Sequence, residues 1–433
     1  MRRNLVYEGA DQLRYEIREI VDTANQLAAR GRTIIWENIG DPIIKGEEIP
    51  GWIREIVVGK ASENGSYAYT DTAGYLPTRQ FLAREVNARG GTQITEKDIL
   101  FFNGLGDAIA TLFSHLRREA RILGPSPAYS SLSSAEAAHS GYEHNTYQLD
   151  PENHWLPDLE DIRNKVKYND SIAGILLINP DNPTGAVYPR ELLEEIVAIA
   201  REFGLFLICD ETYANIVYDR EKTCHLSRVI GGVPGIALRS ISKEFPWPGA
   251  RCGWMEIFNQ DRDDNFRAYI KSLLDAKRLE VCSTSLPQLV IPRVYSDPRF
   301  PRHLEERNAR FRERAREAAR ILGPVEGIIV NEPQGAFYLT ILFQKGRLND
   351  RMSLPVDIPE VKTRVEELVK GVPVDKRFVY YLLGATGICV VPLTSFCSRL
   401  EGFRMTLLET DDQKRKTILE QVAWAAETYL GSA

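Results

Sequence analysis

Short apolar runs separated by longer amphipathic stretches mark the middle of this chain. Ile99–Phe102, Ala120–Leu123, Ile172–Ile178, Leu205–Cys209 and Ile236–Ile241 are short, mostly apolar runs. Ala108–Arg118, Ser130–Ala138 and Arg190–Phe203, between them, carry apolar residues at helical spacing. Strands that are apolar on both faces need cover on both faces, and crossover helices supply it. The pattern predicts an α/β fold with a mostly parallel, doubly covered sheet. Ligands of such sheets gather at the carboxyl ends of the strands. Asn103, Asn179, Asp210 and Lys243 all fall just after such runs.

The flanks have a different texture. Residues 11–30 read as an amphipathic helix ending before Gly31, and Ile34–Ile39 as a strand followed by a turn at Gly40-Asp41-Pro42. Beyond about residue 300 a long charged helix is expected at Arg302–Ile321. Strands are expected at Ile328–Val330, Phe337–Ile341, Ile388–Val391 and Phe403–Leu408, forming a smaller α+β lobe. Residues 344–376, with Pro, Gly and many charges, read as an inserted loop and helix, and the N-terminal segment is expected to pack on the smaller lobe.

The 433 residues are enough for a large core and more than one lobe. Acidic residues outnumber basic ones, 60 to 54, for a formal charge of −6. That balance argues against nucleic acid as the main partner, since phosphate binding wants a basic face. The six cysteines form no C-x-x-C pair and no zinc spacing, which suggests a reducing, cytoplasmic protein. The six histidines, at 115, 139, 144, 154, 225 and 303, make no metal or triad pattern. Met1-Arg2-Arg3 leads directly into charged sequence without the apolar core of a signal peptide, and no apolar run approaches a membrane span.

The candidate chemistry rests on an amide, a carboxylate and an amine in order along the chain. Asn182 lies in Asn179-Pro180-Asp181-Asn182-Pro183-Thr184-Gly185, Asp210 closes an apolar run, and Lys243 follows Ser240-Ile241-Ser242. Such a set suits pyridoxal phosphate: the lysine forms a Schiff base, the carboxylate keeps the pyridine nitrogen protonated, and the amide meets the phenolic oxygen. Taken singly, each residue has a plainer reading. Lys243 reads as a surface lysine, Asp210 as a strand-end turn former, Asn182 as part of a tight loop, and Tyr213 as a packing aromatic. Asn103-Gly104-Leu105-Gly106-Asp107-Ala108 links a strand to a helix whose N-terminal N–H groups suit a phosphate, with helix capping by Asn103 or Asp107 alongside. Ile109 stands where a dinucleotide fingerprint needs a small residue, so a nicotinamide reading loses ground. Arg404 is a charge within a strand-like run, which calls for an internal acid or a substrate carboxylate.

Together these residues resemble the class I/II aminotransferases of fold type I, from Asn38-Ile39-Gly40-Asp41-Pro42 to Phe403-Arg404-Met405. The resemblance implies pyridoxal 5'-phosphate, with Lys243 as its Schiff-base lysine, Asp210 as the pyridinium partner, and Asn182 and Tyr213 on the phenolic oxygen. It implies Ser240 and Arg251 as phosphate ligands, helped by the backbone of Gly104, Leu105 and Gly106, and Tyr129 stacked on the ring. Tyr69 is similar to the tyrosine that reaches a neighbouring subunit's phosphate, which implies a homodimer with shared active sites. Arg404 resembles the α-carboxylate clamp, with Gly40 and Asn182 beside the substrate. The expected division is an N-terminal arm with part of the small domain (1–57), a large cofactor-binding domain (58–299) and a small C-terminal domain (300–433).

The implied reaction moves an amino group between an L-amino acid and a 2-oxo acid. Asn38–Pro42, Thr386–Pro392 and Phe403–Thr406 are similar to alanine aminotransferases in particular. Two segments depart from the family pattern. Pro246-Trp247-Pro248 follows the lysine where small residues are usual, and Leu393-Thr394-Ser395-Phe396-Cys397 lacks two usual glycines. A lyase, decarboxylase or oxidase on the same cofactor stays open as an alternative. A non-catalytic cofactor-binding regulator is disfavoured, because only one helix precedes Asn38 and the charge is negative.

Overall fold

The computed structural model describes residues 6–7, 9–12 and 16–432, the side chains of 16–18 excepted. Eight strands form one mixed sheet, in the spatial order Ile99–Phe102, Gly253–Phe258, Gly235–Ser240, Phe206–Asp210, Ile172–Ile178, Arg121–Ser126, Thr146–Asp150 and Leu156–Pro157. The pairings from Gly235–Ser240 through to Thr146–Asp150 are parallel, whereas Gly253–Phe258 runs antiparallel to both its neighbours. In the middle of the sheet Ile178 pairs with Asp210 and Asp210 with Leu238, so the carboxyl ends of three strands finish side by side.

Period-two alternation explains why these strands read as continuous apolar runs. Ile175, Leu177, Leu207, Cys209 and Ala237 enter one core, while Leu176, Ile178, Ile208, Ile236 and Leu238 enter the other. One face is covered by helix Arg190–Glu202 through Leu193, Ile196, Val197, Ile199 and Ala200. Helices Leu105–Ser114 and Asp264–Glu280 supply Ile109, Leu112, Phe113, Phe266, Ile270 and Leu273 to the other core.

Four later strands, in the order Ile328–Val330, Tyr338–Phe343, Gly402–Thr406 and Val391–Pro392, make an antiparallel sheet backed by the helix Val374–Thr386, whose Phe378 packs against Phe343 and Phe403. This smaller sheet is fastened to the turn after Ile172–Ile178. Thr340 donates to the Pro183 carbonyl at 2.9 Å, and the Gly335 N–H donates to Gly185 at 3.0 Å.

Several expected elements differ in extent. Ile34–Ile39 contains only a two-residue strand, Ile35–Trp36, parallel to Ile388–Cys389. The chain leaves that pairing at Glu37, whose N–H donates to Cys389 while its carbonyl accepts from Thr406. Ile388–Val391 is two strands, because its halves pair with different partners. The expected helix 11–30 is a short 3₁₀ turn at Ala10–Gln12 and an α-helix at Glu16–Ala28, and its residues 13–15 lie outside the described residues. The strand Gly253–Phe258 was not expected, since Glu256 interrupts its apolar pattern. That carboxylate is buried, with Trp254 Nε1 at 3.2 Å and Arg89 at 3.5 Å.

Candidate active site

A cavity of about 440 Å³ opens where the parallel strands end. Asp210 is the last residue of its strand, Ser240 the last of the next, and Lys243 sits in the single helical turn Ile241–Glu244 that follows. Asn182 lies in the turn after Ile172–Ile178, which its own side chains hold in shape. The Asp181 carboxylate accepts from the Thr184 N–H at 3.0 Å, and Asn179 Oδ1 accepts from the Tyr188 N–H at 2.9 Å. Gly185 has φ +75°, and a Cβ there would lie 2.5 Å from Pro333, so only glycine lets the smaller lobe approach.

The cavity gathers eleven of the residues singled out from sequence: Gly40, Leu105, Gly106, Tyr129, Asn182, Asp210, Tyr213, Ser240, Lys243, Arg251 and Arg404. Lys243 Nζ donates to the Gly40 carbonyl at 2.6 Å. Its side chain opens onto the cavity, yet the surrounding protein desolvates the amine. Burial lowers its pKa from 10.5 to about 8; Asp41 opposes the shift, while Arg307, Arg251 and Arg404 add to it. Asp210 is 6% exposed, and its carboxylate accepts from the Thr212 N–H at 2.9 Å. No cation pairs with it among the described residues, and burial raises its pKa, with Glu211 contributing in the same direction.

Arg404 is 2% exposed and has no carboxylate partner among the described residues. Its Nη1 donates to Asn182 Oδ1 at 3.2 Å and its Nη2 to the Asn38 carbonyl at 2.6 Å, and its Nε has no partner. The rings of Tyr338 and Phe396 flank the guanidinium, at 4.4 and 5.1 Å from Cζ. Such a cation, close to two aromatic rings and without a carboxylate partner among the described residues, is arranged to receive an anion from the cavity. Tyr338 also stands 3.0 Å from the Tyr213 hydroxyl, oxygen to oxygen.

At the other end, helix Leu105–Ser114 begins at Gly104, which has φ +85° and offers no side-chain cap. The Asp107 carboxylate instead accepts from the Asn103 N–H at 3.0 Å, while Asn103 Oδ1 accepts from the Thr284 N–H at 2.9 Å. Of the two residues considered for capping, Asp107 therefore takes a main-chain N–H and Asn103 braces a different segment. A Cβ at Gly104 would lie 2.5 Å from the Arg251 guanidinium, so the missing side chain makes room for that cation. Ser240 Oγ is 2.8 Å from Ser242 Oγ and 3.1 Å from the Cys252 carbonyl. An uncapped helix N-terminus beside a guanidinium and two hydroxyls suits a multiply charged anion.

Two of the predicted residues do not line the cavity. Gly104 lies behind Arg251, and Tyr69 is 85% exposed on the surface. Tyr338, Asn38, Thr212, Ser131 and Ser242 line the cavity without having been singled out. Tyr338 begins a strand and reads as core, and nothing in its spacing distinguishes it. Pro248 of the Pro-Trp-Pro segment touches the cavity, while Trp247 packs against the main core. Cys397, where a glycine is usual, holds the left-handed φ of +54° that favours glycine, and its carbonyl accepts from Ser126 at 2.8 Å. A larger cavity, about 1040 Å³, is bordered by Ser130, Ser133, Asn145 and Arg399. It contains none of the amine, carboxylate and amide set, and volume alone supplies no chemistry.

Comparison with known proteins places the sequence and the fold. An uncharacterized aminotransferase of Methanocaldococcus jannaschii is 51% identical over 99% of this chain and 100% of its own length. The glutamate-pyruvate aminotransferase of Escherichia coli (strain K12) is 29% identical over 90% of this chain and 96% of its own. The solved structure of an alanine aminotransferase from Pyrococcus furiosus superposes with a TM-score of 0.84 at 25% identity, covering 98% of this chain and 99% of that one. The family described as aminotransferase class I and II matches residues 40–422, and the chain belongs to that family.

Proposed function

We propose that the chain is a pyridoxal 5'-phosphate-dependent aminotransferase of the alanine and glutamate type, passing an amino group between an L-amino acid and a 2-oxo acid. The observation that carries the cofactor is the buried Asp210 carboxylate, which lacks a cation in the cavity that also holds the Lys243 amine. A protonated pyridine nitrogen would meet that need. Ser240, Arg251 and the N–H groups of Leu105 and Gly106 would hold the phosphate, the Gly104 N–H being committed to the Phe102 carbonyl at 2.8 Å, and Tyr129 would lie against the ring. Asn182 has its amide oxygen engaged by Arg404, which leaves its amide nitrogen to donate to the phenolic oxygen beside Tyr213. When bound, the cofactor supplies an electron-withdrawing ring that acidifies the hydrogen on the amino acid's Cα.

The chain's own residues then orient the substrate and move a proton. Arg404 takes the α-carboxylate in a charge-assisted contact, with Gly40 close by on the segment whose Asn38 carbonyl accepts from the guanidinium. Lys243, whose pKa is lowered by burial to about 8 and which therefore gives up its proton more readily than an exposed lysine, accepts the Cα proton and delivers it as a general base and acid. The lean toward alanine and glutamate rests on the Asn38–Pro42 and Phe403–Thr406 strings and on the names of the relatives. The same reading carries a homodimer in which Tyr69 reaches the neighbouring subunit's phosphate, and a reducing cytoplasmic setting. Among the described residues no helix is long and apolar enough to cross a membrane.

The visible absorption spectrum of the purified protein, before and after L-alanine or L-glutamate, tests this. A yellow band that shifts on adding either amino acid supports cofactor and half-reaction together. A band that does not move removes these two substrates. No band, even after adding pyridoxal phosphate, overturns the roles given to Lys243 and Asp210.

A further inference from the structure

Arg307 lies on the charged helix Phe300–Leu322, where most arginines face solvent. Arg302 and Arg310 have side chains 82% and 53% exposed, but that of Arg307 is 1% exposed. All three of its nitrogens are engaged. Nε and Nη2 grip the Glu47 carboxylate, the latter at 2.8 Å, and Nη1 donates to the main-chain carbonyl of Lys243 at 2.5 Å. The turn Ile241–Glu244 is only four residues long, so its last carbonyls have no acceptor role inside a helix, and Arg307 supplies the missing donor.

These contacts close a ring. Lys243 Nζ reaches the Gly40 carbonyl, the loop runs from Gly40 to Glu47, Glu47 holds Arg307, and Arg307 returns to the carbonyl of Lys243. The loop end is itself braced, since the Glu47 N–H donates to the Pro42 carbonyl at 2.8 Å. We propose that Arg307, clamped by Glu47, is a positioning residue that registers the Gly40 loop against the lysine and places a fixed positive charge behind it. This inference rests on the role proposed above for Lys243.

The charge has a specific consequence. The groups facing the Lys243 amine are Asp41 from the loop, Arg251 and Arg404 from the cavity walls, and Arg307 from the helix, with Asp210 in the same cavity. Glu47, Arg310 and His303 stand around Arg307 in turn. Removing Arg307 deletes one of three cations that disfavour the protonated nitrogen.

The test compares Arg307→Gln, Arg307→Lys and Glu47→Gln as full-length holoenzymes. Each is read by the pH titration of its visible absorption, by kcat and KM, and by melting temperature. Arg307→Gln is expected to move the titration midpoint upward and lower kcat roughly tenfold or more, with a smaller change in KM. Arg307→Lys keeps the charge and loses the fork, so its midpoint stays near wild type while kcat remains low. Glu47→Gln leaves the cation less neutralised, so its midpoint stays or falls while kcat drops; with Arg307→Lys it carries the test if the glutamine variant does not fold. A wild-type midpoint and kcat in Arg307→Gln, or a lower melting temperature with the midpoint unmoved, overturns the proposal. Failure of the underlying reading is separate: wild-type protein would show no titrating band, and Lys243→Ala would keep full turnover.

Discussion

The Lys243 amine donates a 2.6 Å hydrogen bond to the carbonyl of Gly40, a residue 203 positions earlier in the chain. The amine is thereby held against the Asn38–Gly40 segment, in the cavity that Arg404 and Tyr338 also line. The same loop binds Arg404 through the Asn38 carbonyl, so a three-residue segment touches both the amine and the guanidinium.

Replacing Lys243 by alanine is expected to abolish turnover while the fold persists, checked by amino-transfer assay and circular dichroism. Its buried amine also predicts a pH-dependent stability. The folded-state pKa of about 8 is below the ordinary 10.5. Below 8 both states hold the proton, and the fold bears the cost of a buried ammonium. Between 8 and 10.5 the unfolded state binds more protons, so stability rises with pH through that window. Cofactor-free Lys243→Met should therefore be more stable than cofactor-free wild type at neutral pH, by a margin that shrinks on the way to 10.5. A margin that does not change across that window removes the lowered pKa.

Asp210→Asn should separate stability from function. The carboxyl's pKa is raised above 3.8 by burial, with Glu211 adding to the effect, so the folded state holds its proton to higher pH than the unfolded state. Stability from this group is lost as pH rises from 3.8 through the folded value, and the charge is a liability at neutral pH. The asparagine keeps an oxygen for the Thr212 N–H and carries no charge. Cofactor-free Asp210→Asn is expected to unfold at higher denaturant than wild type near neutrality, with the two converging in acid. It should bind pyridoxal phosphate more weakly and turn over far more slowly. Unaltered turnover in this variant ends the assignment of Asp210 to the pyridine nitrogen.

Arg404→Lys should act chiefly on binding. A lysine's point charge cannot replace the planar fork that holds the Asn182 and Asn38 oxygens while meeting a carboxylate in a paired contact. Charge-assisted hydrogen bonds contribute about 1.5–3 kcal/mol, so KM for the amino acid should rise roughly tenfold or more. Wild-type KM and kcat would take Arg404 out of the substrate site.

The chemistry-bearing residues were legible because each ends an apolar run, and a parallel sheet brings run ends together. Asp210 and Lys243 followed from that rule, whereas Asn182 was marked by its turn-rich string and Ser240 only by the family resemblance. Tyr338 was not legible: it is one of several aromatics at the start of a strand, and its value comes from packing against Gly40, Tyr213 and Arg404, residues far from it in sequence. Gly253–Phe258 was missed for a related reason, since a charge in mid-strand is acceptable only once Arg89 and Trp254 are in place beside it. The Arg307–Glu47 pair looks in sequence like two more charges on charged segments, and burial alone sets it apart.

Gly40→Ala puts this packing to the test. A Cβ at Gly40 would lie 2.1 Å from the Tyr338 hydroxyl and 3.1 Å from its Cζ. Tyr338 cannot simply swing aside, because it is 3% exposed, its hydroxyl is shared with Tyr213, and its ring supports Arg404. The added methyl must therefore move either the tyrosine or the loop, and moving the loop displaces the carbonyl that receives Lys243. Overpacking of this kind costs about 1–3 kcal/mol of folding stability, and the displaced carbonyl should lower kcat/KM as well. Deleting the hydroxyl in Gly40→Ala/Tyr338→Phe removes the nearest contact but leaves the ring carbon, so the double variant should recover part of the loss, and Tyr338→Phe alone should lose less than Gly40→Ala. Additive losses in the double variant would show that the tyrosine is not what the methyl meets, and that Gly40 acts through its carbonyl alone.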